Sequence, residues 1–334
     1  MRPPATWGRA GADEPPKGSG LRAHPDPPQV STLGAQGTAA GLLALTAASV
    51  IWGGMYVASD ALMRTSPPLL VLELREGIAA AVLLAVAWRG HALRLARPDW
   101  LRVAVVGTIG CTISIGFQLA GTAAAGAALG SLVTASSPIL IAVLGAVVLQ
   151  ERVPRRRWAA IATAAVGVAV IVGTPSGGPR VVEGVLLLLV AAVSWALYTI
   201  GSRRLLDRYP AVTLVTWATV AGAVTSLPLA AYSTLVVPHP WPAGLVGWGE
   251  TLYISVIGMA VAFLLWIWGF RSVPASRGGA LLLFQPLVGV VLGVALLGES
   301  LTLGTVVGAL AVAAGVALAV WEPRAPGIAV RAEP

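Results

Sequence analysis

The sequence predicts an all-α integral membrane protein with ten transmembrane helices, arranged as two inverted five-helix repeats. Three observations lead to this prediction: an apolar composition, ten long apolar runs, and a motif that occurs twice. The 334 residues are 57% hydrophobic and only 11% charged, and their mean hydropathy is +0.82. Soluble domains carry about 25% charged residues, so the composition argues strongly against a soluble protein.

The ten apolar runs are each long enough to cross, or nearly cross, the hydrocarbon core of a bilayer, which is about 30 Å thick. They lie at roughly 39–58, 68–88, 101–120, 124–149, 156–173, 181–200, 211–235, 251–270, 278–297 and 303–321. Most of the connections are short, so consecutive helices should be antiparallel.

The chain divides into four segments. Residues 1–36 form a polar tail that is rich in Pro and Gly and lacks the apolar core of a signal peptide, so we expect it to be disordered and cytoplasmic. The first five-helix repeat is predicted at 37–173 and the second at 181–321. Residues 322–334 are expected to form a cytoplasmic tail.

The doubled motif is a proline followed thirteen residues later by a glutamate. Pro138–Glu151 reads PILIAVLGAVVLQE, and Pro286–Glu299, 148 residues further on, reads PLVGVVLGVALLGE. We expect each proline to interrupt the hydrogen-bond ladder of its helix at depth. Each glutamate is expected to serve in capping or in docking the following helix, and substrate contact is the alternative. Because each repeat holds an odd number of helices, the second copy should insert upside down relative to the first.

The distribution of positive charge predicts the orientation of the chain. With the N-terminus inside, 19 of the 22 Lys and Arg residues fall on the cytoplasmic side, where positive charge is retained. Outside loops hold only Arg64 and Arg180, and Arg75 falls within a helix. The sequence therefore predicts a multi-pass protein of the cell (inner) membrane with both termini in the cytoplasm.

Several motifs lie on these helices in a fixed order. The first helix carries Trp52–Ala58, the second carries Pro68 followed by Arg75, and the eighth carries Gly258–Phe263, besides the doubled proline–glutamate motif. This set resembles the EamA-type branch of the drug/metabolite transporter superfamily over about residues 38–321. The resemblance implies a ten-helix transporter with a central cavity between its halves, which moves amino acids, other metabolites or drugs, often outward. Asp60 stands where many relatives carry a lysine.

Arg75 is the main candidate for direct substrate contact. A charge at the centre of a membrane helix costs roughly 2.5–3.5 kcal/mol on insertion scales, and it usually faces a cavity or a partner. Arg75 could anchor a substrate carboxylate or phosphate, or it could pair internally with Asp60, Glu73 or Glu76. Glu73 and Glu76 could also carry protons, which leaves proton coupling open. The counterpart of Arg75 in the second repeat is Trp217, and the two are predicted to face each other across the cavity.

Polar and aromatic side chains inside the other spans are predicted to line the same cavity, because uncharged donors and aromatic walls suit a small amphipathic molecule. The alternative is that they serve only packing. They are Trp52, Tyr56, Gln118, Ser137, Trp195, Tyr198, Trp266 and Gln285.

The sequence contains few of the residue patterns that an intramembrane enzyme needs. His24, His91 and His239 are far apart in polar segments, and neither Gly-x-Ser-x-Gly nor a phosphate-binding loop occurs. No metal, cofactor or nucleic-acid partner is expected.

The predicted function is secondary transport of a small metabolite, an amino acid or similar, by alternating access, with export as the expected direction. The alternatives are multidrug or toxic-compound efflux on the same fold and, from a different class, an intramembrane enzyme. The expected partners are the substrate and the lipid bilayer, with proton coupling left open and the protein a monomer or homodimer.

Overall fold

A computed structural model of the chain describes residues 35–137, 139–140, 144, 155–173, 178–236, 241–270, 281–282 and 284–320. Most of the described residues are helical, and none of them lies in a strand. The predictions for residues 1–34 and 321–334, and for Pro138 and Glu151 of the first motif, lie outside the described residues.

Among the described residues, ten helices of eight residues or more each overlap one predicted span. Eight are α1 Ala35–Met63, α2 Pro68–Arg89, α4 Ala127–Thr134, α5 Arg155–Gly173, α6 Pro179–Leu206, α7 Ala211–Val236, α9 Phe284–Leu297 and α10 Leu303–Val320. The other two contain π-helical turns: α3 joins Trp100–Gly107, π-helical Thr108–Ser114 and Ile115–Ala125, and α8 joins Gly244–Leu252, π-helical Tyr253–Val261 and Ala262–Phe270. Within the described residues, five helices are long and apolar enough to cross a membrane: Ala39–Met63, Arg97–Ala125, Pro179–Ser202, Ala211–Val236 and Gly244–Trp266.

Local sequence explains where α2 begins and ends. Pro68 occupies the first turn, where its missing N–H is not needed, and Pro67 before it is extended, with φ −67° and ψ 145°. Arg89 in the last turn places a positive charge at the negative end of the helix dipole. The backbone N–H of Gly90 then closes the helix on the carbonyl of Val86.

A glycine separates α3 from α4. Gly126 has φ +90°, a conformation that L side chains rarely adopt, and α4 starts directly after it at Ala127. The fourth span was predicted to begin at residue 124, but α4 begins at Ala127: residues 124 and 125 belong to the end of α3, and Gly126 lies between the two helices.

Counterpart helices of the two halves pack together and run in opposite directions. Ser226 of α7 donates a hydrogen bond of 2.6 Å to Glu73 near the start of α2, and Thr213 at the start of α7 donates one of 2.7 Å to the Ala92 carbonyl beyond the end of α2. Contacts near the start of α2 are made by the later part of α7, and contacts beyond the end of α2 are made by the start of α7, so the two helices are antiparallel. In α4 and α9 the contacts are also reversed: Gly289 packs against Ser131, and the later Gly293 packs against the earlier Ala128.

A close glycine crossing occurs at the same sequence position in each half of the chain. A Cβ added to Gly121 of α3 would lie 2.8 Å from the Gly184 carbonyl oxygen of α6. A Cβ added to Gly269 of α8 would lie 2.9 Å from the Gly41 carbonyl oxygen of α1. Gly121 and Gly269 are 148 residues apart, the same spacing as the doubled motif. Small residues allow such backbone approach in membrane helices.

A buried charge ties two connections together at one end of the bundle. Asp99, just before α3, is 2% exposed and accepts a hydrogen bond of 2.9 Å from the Tyr209 hydroxyl. Its carboxylate also pairs with Arg102 at 3.1 Å and with Arg208 at 3.4 Å. The α2–α3 connection is thereby fixed to the α6–α7 connection of the other half.

Candidate functional site

A cavity of about 110 Å³ lies between the two halves of the chain. Helices α1 to α4 of the first half form one part of its wall, and α6, α8 and the start of α9 form the rest. Seven of the ten predicted substrate-binding residues line it: Trp52, Tyr56, Arg75, Gln118, Ser137, Trp195 and Gln285.

Arg75 brings a positive charge to the cavity wall. Its side chain is 2% exposed, and neither its Nε nor its Nη1 atom has a hydrogen-bond partner among the described residues. Buried polar groups are nearly always hydrogen-bonded, and a buried charge without a partner is costly. The guanidinium therefore has donors available for a ligand in the cavity.

The three acids proposed as internal partners of Arg75 are engaged elsewhere or form no salt bridge. The Asp60 carboxylate lies 3.4 Å from Arg64, and Glu73 accepts a hydrogen bond from Ser226. Glu76 is fully buried, and its two carboxylate oxygens have no hydrogen-bond partner among the described residues. The internal ion pair weighed as the alternative role of Arg75 is thus not formed in this structure.

Hydroxyl and amide groups from three helices meet beside Arg75. The Tyr56 hydroxyl of α1 and the Thr134 hydroxyl of α4 share a hydrogen bond of 2.5 Å. The Gln285 amide of α9 donates to the same Tyr56 hydroxyl at 3.5 Å. The Ser137 hydroxyl donates to the Thr134 carbonyl at 2.6 Å. These groups can exchange partners with a polar ligand without leaving the cavity wall.

Aromatic rings form another part of the wall. The Trp52 ring centroid lies 5.5 Å from that of Phe263, and the Trp195 ring centroid lies 6.1 Å from the same ring. Trp266 and Tyr198, which were predicted to line the cavity, lie behind this wall instead. Trp266 packs on Trp52 at 5.1 Å and Tyr198 on Trp195 at 5.1 Å. Their side chains therefore contact the lining residues but do not line the cavity themselves.

Trp217 lies apart from the cavity, which corrects its predicted pairing with Arg75. Its Nε1 atom donates to the Leu93 carbonyl at 3.0 Å, and its ring packs edge-on against Trp100 at 4.6 Å. Arg75 follows Pro68 by seven positions, and Trp217 follows Pro210 by seven. Because α2 and α7 are antiparallel, these two positions lie toward opposite ends of the helix pair. The same position in each repeat thus faces a different environment.

The second copy of the doubled motif lies at two helix ends. Pro286 lies in the first turn of α9, where its missing N–H is not needed. Residues 271–280 and 283 before it lie outside the described residues, so the interruption of a longer helix stays a prediction. Glu299 follows α9 and accepts hydrogen bonds from the backbone N–H groups of Ala127 at 2.6 Å and Ala128 at 2.8 Å. A residue of the second half therefore caps the N-terminus of α4 in the first half.

We expect Glu299→Ala to lower the free energy of unfolding by about 0.5–2 kcal/mol, the usual effect of losing an N-terminal cap. Glu299→Gln should cost less, because its amide oxygen still accepts one hydrogen bond. Thermal or chaotrope-induced unfolding of the purified protein in detergent measures both variants. Exposed Glu183 provides the control, since Glu183→Ala removes a carboxylate without a cap. An unchanged midpoint for Glu299→Ala would contradict the capping role.

Several lining residues carried no signal in the sequence. Ser114, Thr134, Met55 and Phe263 contribute to the wall, but small hydroxyls and apolar side chains occur throughout membrane helices. Only the three-dimensional arrangement selects them.

The helices and the cavity define the class of the molecule: a multi-pass, all-helical membrane protein with a polar and aromatic space between its halves. The family comparison is more specific. The model of the EamA-like transporter family matches residues 39–173 and 182–321, so the chain belongs to this family.

Curated relatives carry transporter names. An "Uncharacterized transporter" of Archaeoglobus fulgidus is 28% identical over 279 residues, which cover 84% of this chain and 97% of the relative. A "Probable amino-acid metabolite efflux pump" of Salmonella typhimurium is 32% identical over 297 residues, covering 84% of this chain and 94% of that one. A solved structure titled "Crystal structure of protein" matches with a TM-score of 0.59 at 24% identity, covering 84% of this chain and 96% of the other, which supports the fold alone.

Proposed function

We propose that the protein is a secondary transporter that moves a small metabolite, an amino acid or similar compound, by alternating access, with export as the expected direction. The observation that carries the proposal is the cavity between the halves, with Arg75 in its wall and the Nε and Nη1 donors of Arg75 without a partner among the described residues. The relative named as an amino-acid metabolite efflux pump supports the same substrate class.

The chemistry of the wall suits a carboxylate with an apolar side chain. A guanidinium can donate two parallel hydrogen bonds to a carboxylate. The hydroxyl and amide groups around Tyr56 can bind a second polar group, and the rings of Trp52 and Trp195 can pack against an apolar one. The volume of about 110 Å³ is well below the roughly 300–1,000 Å³ of drug-sized ligand pockets. This difference favours a small metabolite over multidrug efflux.

The proposed architecture is ten membrane helices in two inverted repeats. Two features support it: counterpart helices α2 and α7 run antiparallel, and the close glycine crossing recurs after 148 residues. In such transporters, alternating access is largely a rocking of one repeat against the other around a fixed site.

Flux measurements test the proposal directly. The purified protein is reconstituted into liposomes, and uptake or release of labelled amino acids is compared with that of protein-free liposomes. Comparing metabolites in the medium of a deletion strain and an overexpressing strain widens the search without assuming a substrate. Product analysis in the same samples separates transport from enzymatic conversion. The proposal fails if no solute moves faster than in protein-free liposomes and the two media are identical.

The proposed orientation places both termini in the cytoplasm and residues 174–180 outside. Ser176→Cys in a Cys111→Ala background should therefore react with a membrane-impermeant thiol reagent in intact cells. Arg94→Cys in the exposed α2–α3 connection is the matched control, and it should react only after lysis. The reverse labelling pattern would reject the orientation.

A further inference from the structure

A second charged residue of α2 lies next to Arg75 in sequence and has no role in the site described above. Glu76 is 0% exposed, and both of its carboxylate oxygens are buried without a hydrogen-bond partner among the described residues. The neighbouring acid differs, because Glu73 accepts a hydrogen bond of 2.6 Å from Ser226. Glu76 is therefore a buried acid whose surroundings do not stabilise its ionised form through hydrogen bonds.

The packing around Glu76 is close. A Cβ added to Gly222 of α7 would lie 3.2 Å from the Glu76 Oε2 atom and within contact of Cys111 on α3. The glycine thus provides the space that the carboxyl group occupies. The titratable groups around Glu76 are Arg75 and Glu73 on its own helix, Cys111 on α3 and Tyr198 on α6. Arg75 is the cation in this set, and it forms no salt bridge with Glu76 in this structure.

An ionised carboxylate in such a place is costly. The effective penalty for burying an ion in a protein is several kcal/mol unless hydrogen bonds and an opposite charge compensate it. A bound proton removes the charge and with it the penalty. A metal ion is a weaker candidate, since no group of three or more His, Cys, Asp or Glu side chains with metal-binding geometry occurs within the described residues.

We propose that Glu76 is a proton-binding site, and that its protonation is linked to the binding of an anionic solute at Arg75. The linkage rests on the function proposed above. When Glu76 is ionised, its charge offsets that of the Arg75 guanidinium and opposes the entry of a second anion. When Glu76 is protonated, the positive charge of Arg75 is available to the solute. Proton and anion therefore bind together, and each increases the affinity for the other.

The first test concerns the proton alone and needs no substrate. Infrared spectra of the purified protein near neutral pH should contain the carbonyl band of a protonated carboxyl group, which shifts in D₂O. We expect Glu76→Gln to remove this band and Glu73→Gln, the matched control, to retain it. A Glu76→Gln spectrum that keeps the full wild-type band would overturn the proton site.

The second test concerns the linkage and uses benzoate, an aryl carboxylate that stays ionised between about pH 6 and 9. Quenching of tryptophan fluorescence or calorimetry reports its dissociation constant, since Trp52 and Trp195 line the cavity. In the wild type the dissociation constant should rise with pH, by up to about tenfold per pH unit for one linked proton. In Glu76→Gln it should stay at the low-pH value.

The outcomes separate the two proposals. Binding of benzoate with the same affinity at every pH would overturn the linkage and leave the anion site intact. The same pH dependence in Glu76→Gln as in the wild type would assign the proton to another group and reject Glu76. If the wild type binds benzoate at no pH, both the linkage and the anion site fail, while the infrared result still decides whether Glu76 carries a proton.

Discussion

Arg75→Gln should weaken the binding of a carboxylate solute and reduce its flux, with normal amounts of folded protein in the membrane. Hydrogen bonds to charged groups contribute about 1.5–3 kcal/mol, which corresponds to roughly 10- to 100-fold in a dissociation constant. Glutamine keeps a polar side chain of moderate length but loses the charge and the two parallel donors. Proteoliposome flux and direct binding, measured on the same preparation, check the effect.

Two further variants identify the property that matters at this position. Arg75→Lys retains the charge but loses the planar fork, so we expect an affinity between those of the wild type and Arg75→Gln. Arg64→Gln is the matched control, because Arg64 pairs with Asp60 in an exposed position outside the cavity wall. Its flux should remain close to that of the wild type.

The opposite interpretation makes Arg75 a structural counter-charge for the neighbouring acids. On that interpretation, combining Arg75→Gln with the neutralisation of Asp60, Glu73 or Glu76 restores the charge balance and, with it, function. An anchor for substrate predicts no such recovery, because the donors are still missing. Wild-type flux in any of these double variants would therefore reject the anchoring role.

Gly121→Ala should destabilise the protein strongly for so small a change. The added Cβ would lie 2.7 Å from the Leu188 side chain and 2.8 Å from the Gly184 carbonyl oxygen. A backbone carbonyl cannot turn away as the end of a flexible side chain can, so α3 and α6 have to separate. Overpacking of this kind typically costs about 1–3 kcal/mol.

Gly249→Ala is the control for this variant. Gly249 lies in the first segment of α8 with nothing within 4 Å of an added Cβ. Alanine is favoured over glycine inside a helix by roughly 0.5–1 kcal/mol, so this variant should be unchanged or slightly more stable. The unfolding midpoints of the two variants in detergent provide the comparison. Equal midpoints would mean that the α3–α6 crossing tolerates a methyl group.

Hydrophobic runs and their spacing carried most of the information about the fold. Each predicted span contains described helix, because membrane helices must satisfy their backbone hydrogen bonds internally and so leave a long apolar signal in sequence. The exact ends of the helices were harder to predict from the sequence. The start of α4 depends on the positive φ of Gly126 and on a cap from Glu299, which is 172 residues from Ala127 in sequence.

Part of the candidate site could be predicted from the sequence. Arg75, Tyr56 and Gln285 stand out because polar groups inside membrane spans are costly, and all three line the cavity. Trp217 was selected by its repeat position, which fails because α2 and α7 run antiparallel and the equivalent residue therefore lies at the opposite end of the helix pair. Thr134 could not be selected, since a hydroxyl that bonds to its own helix is common in membrane spans.

The exchange of helices between the halves has a consequence for how the chain is made. Helix α1 packs mainly on α8 and α9, and α2 packs on α7. Helix α3 packs on α6, and α5 packs on α10. All of these partners follow later in the chain. During synthesis, the first five helices therefore enter the membrane before the surfaces that cover them exist. The packing between the two halves can accordingly form only after the second half has been synthesised.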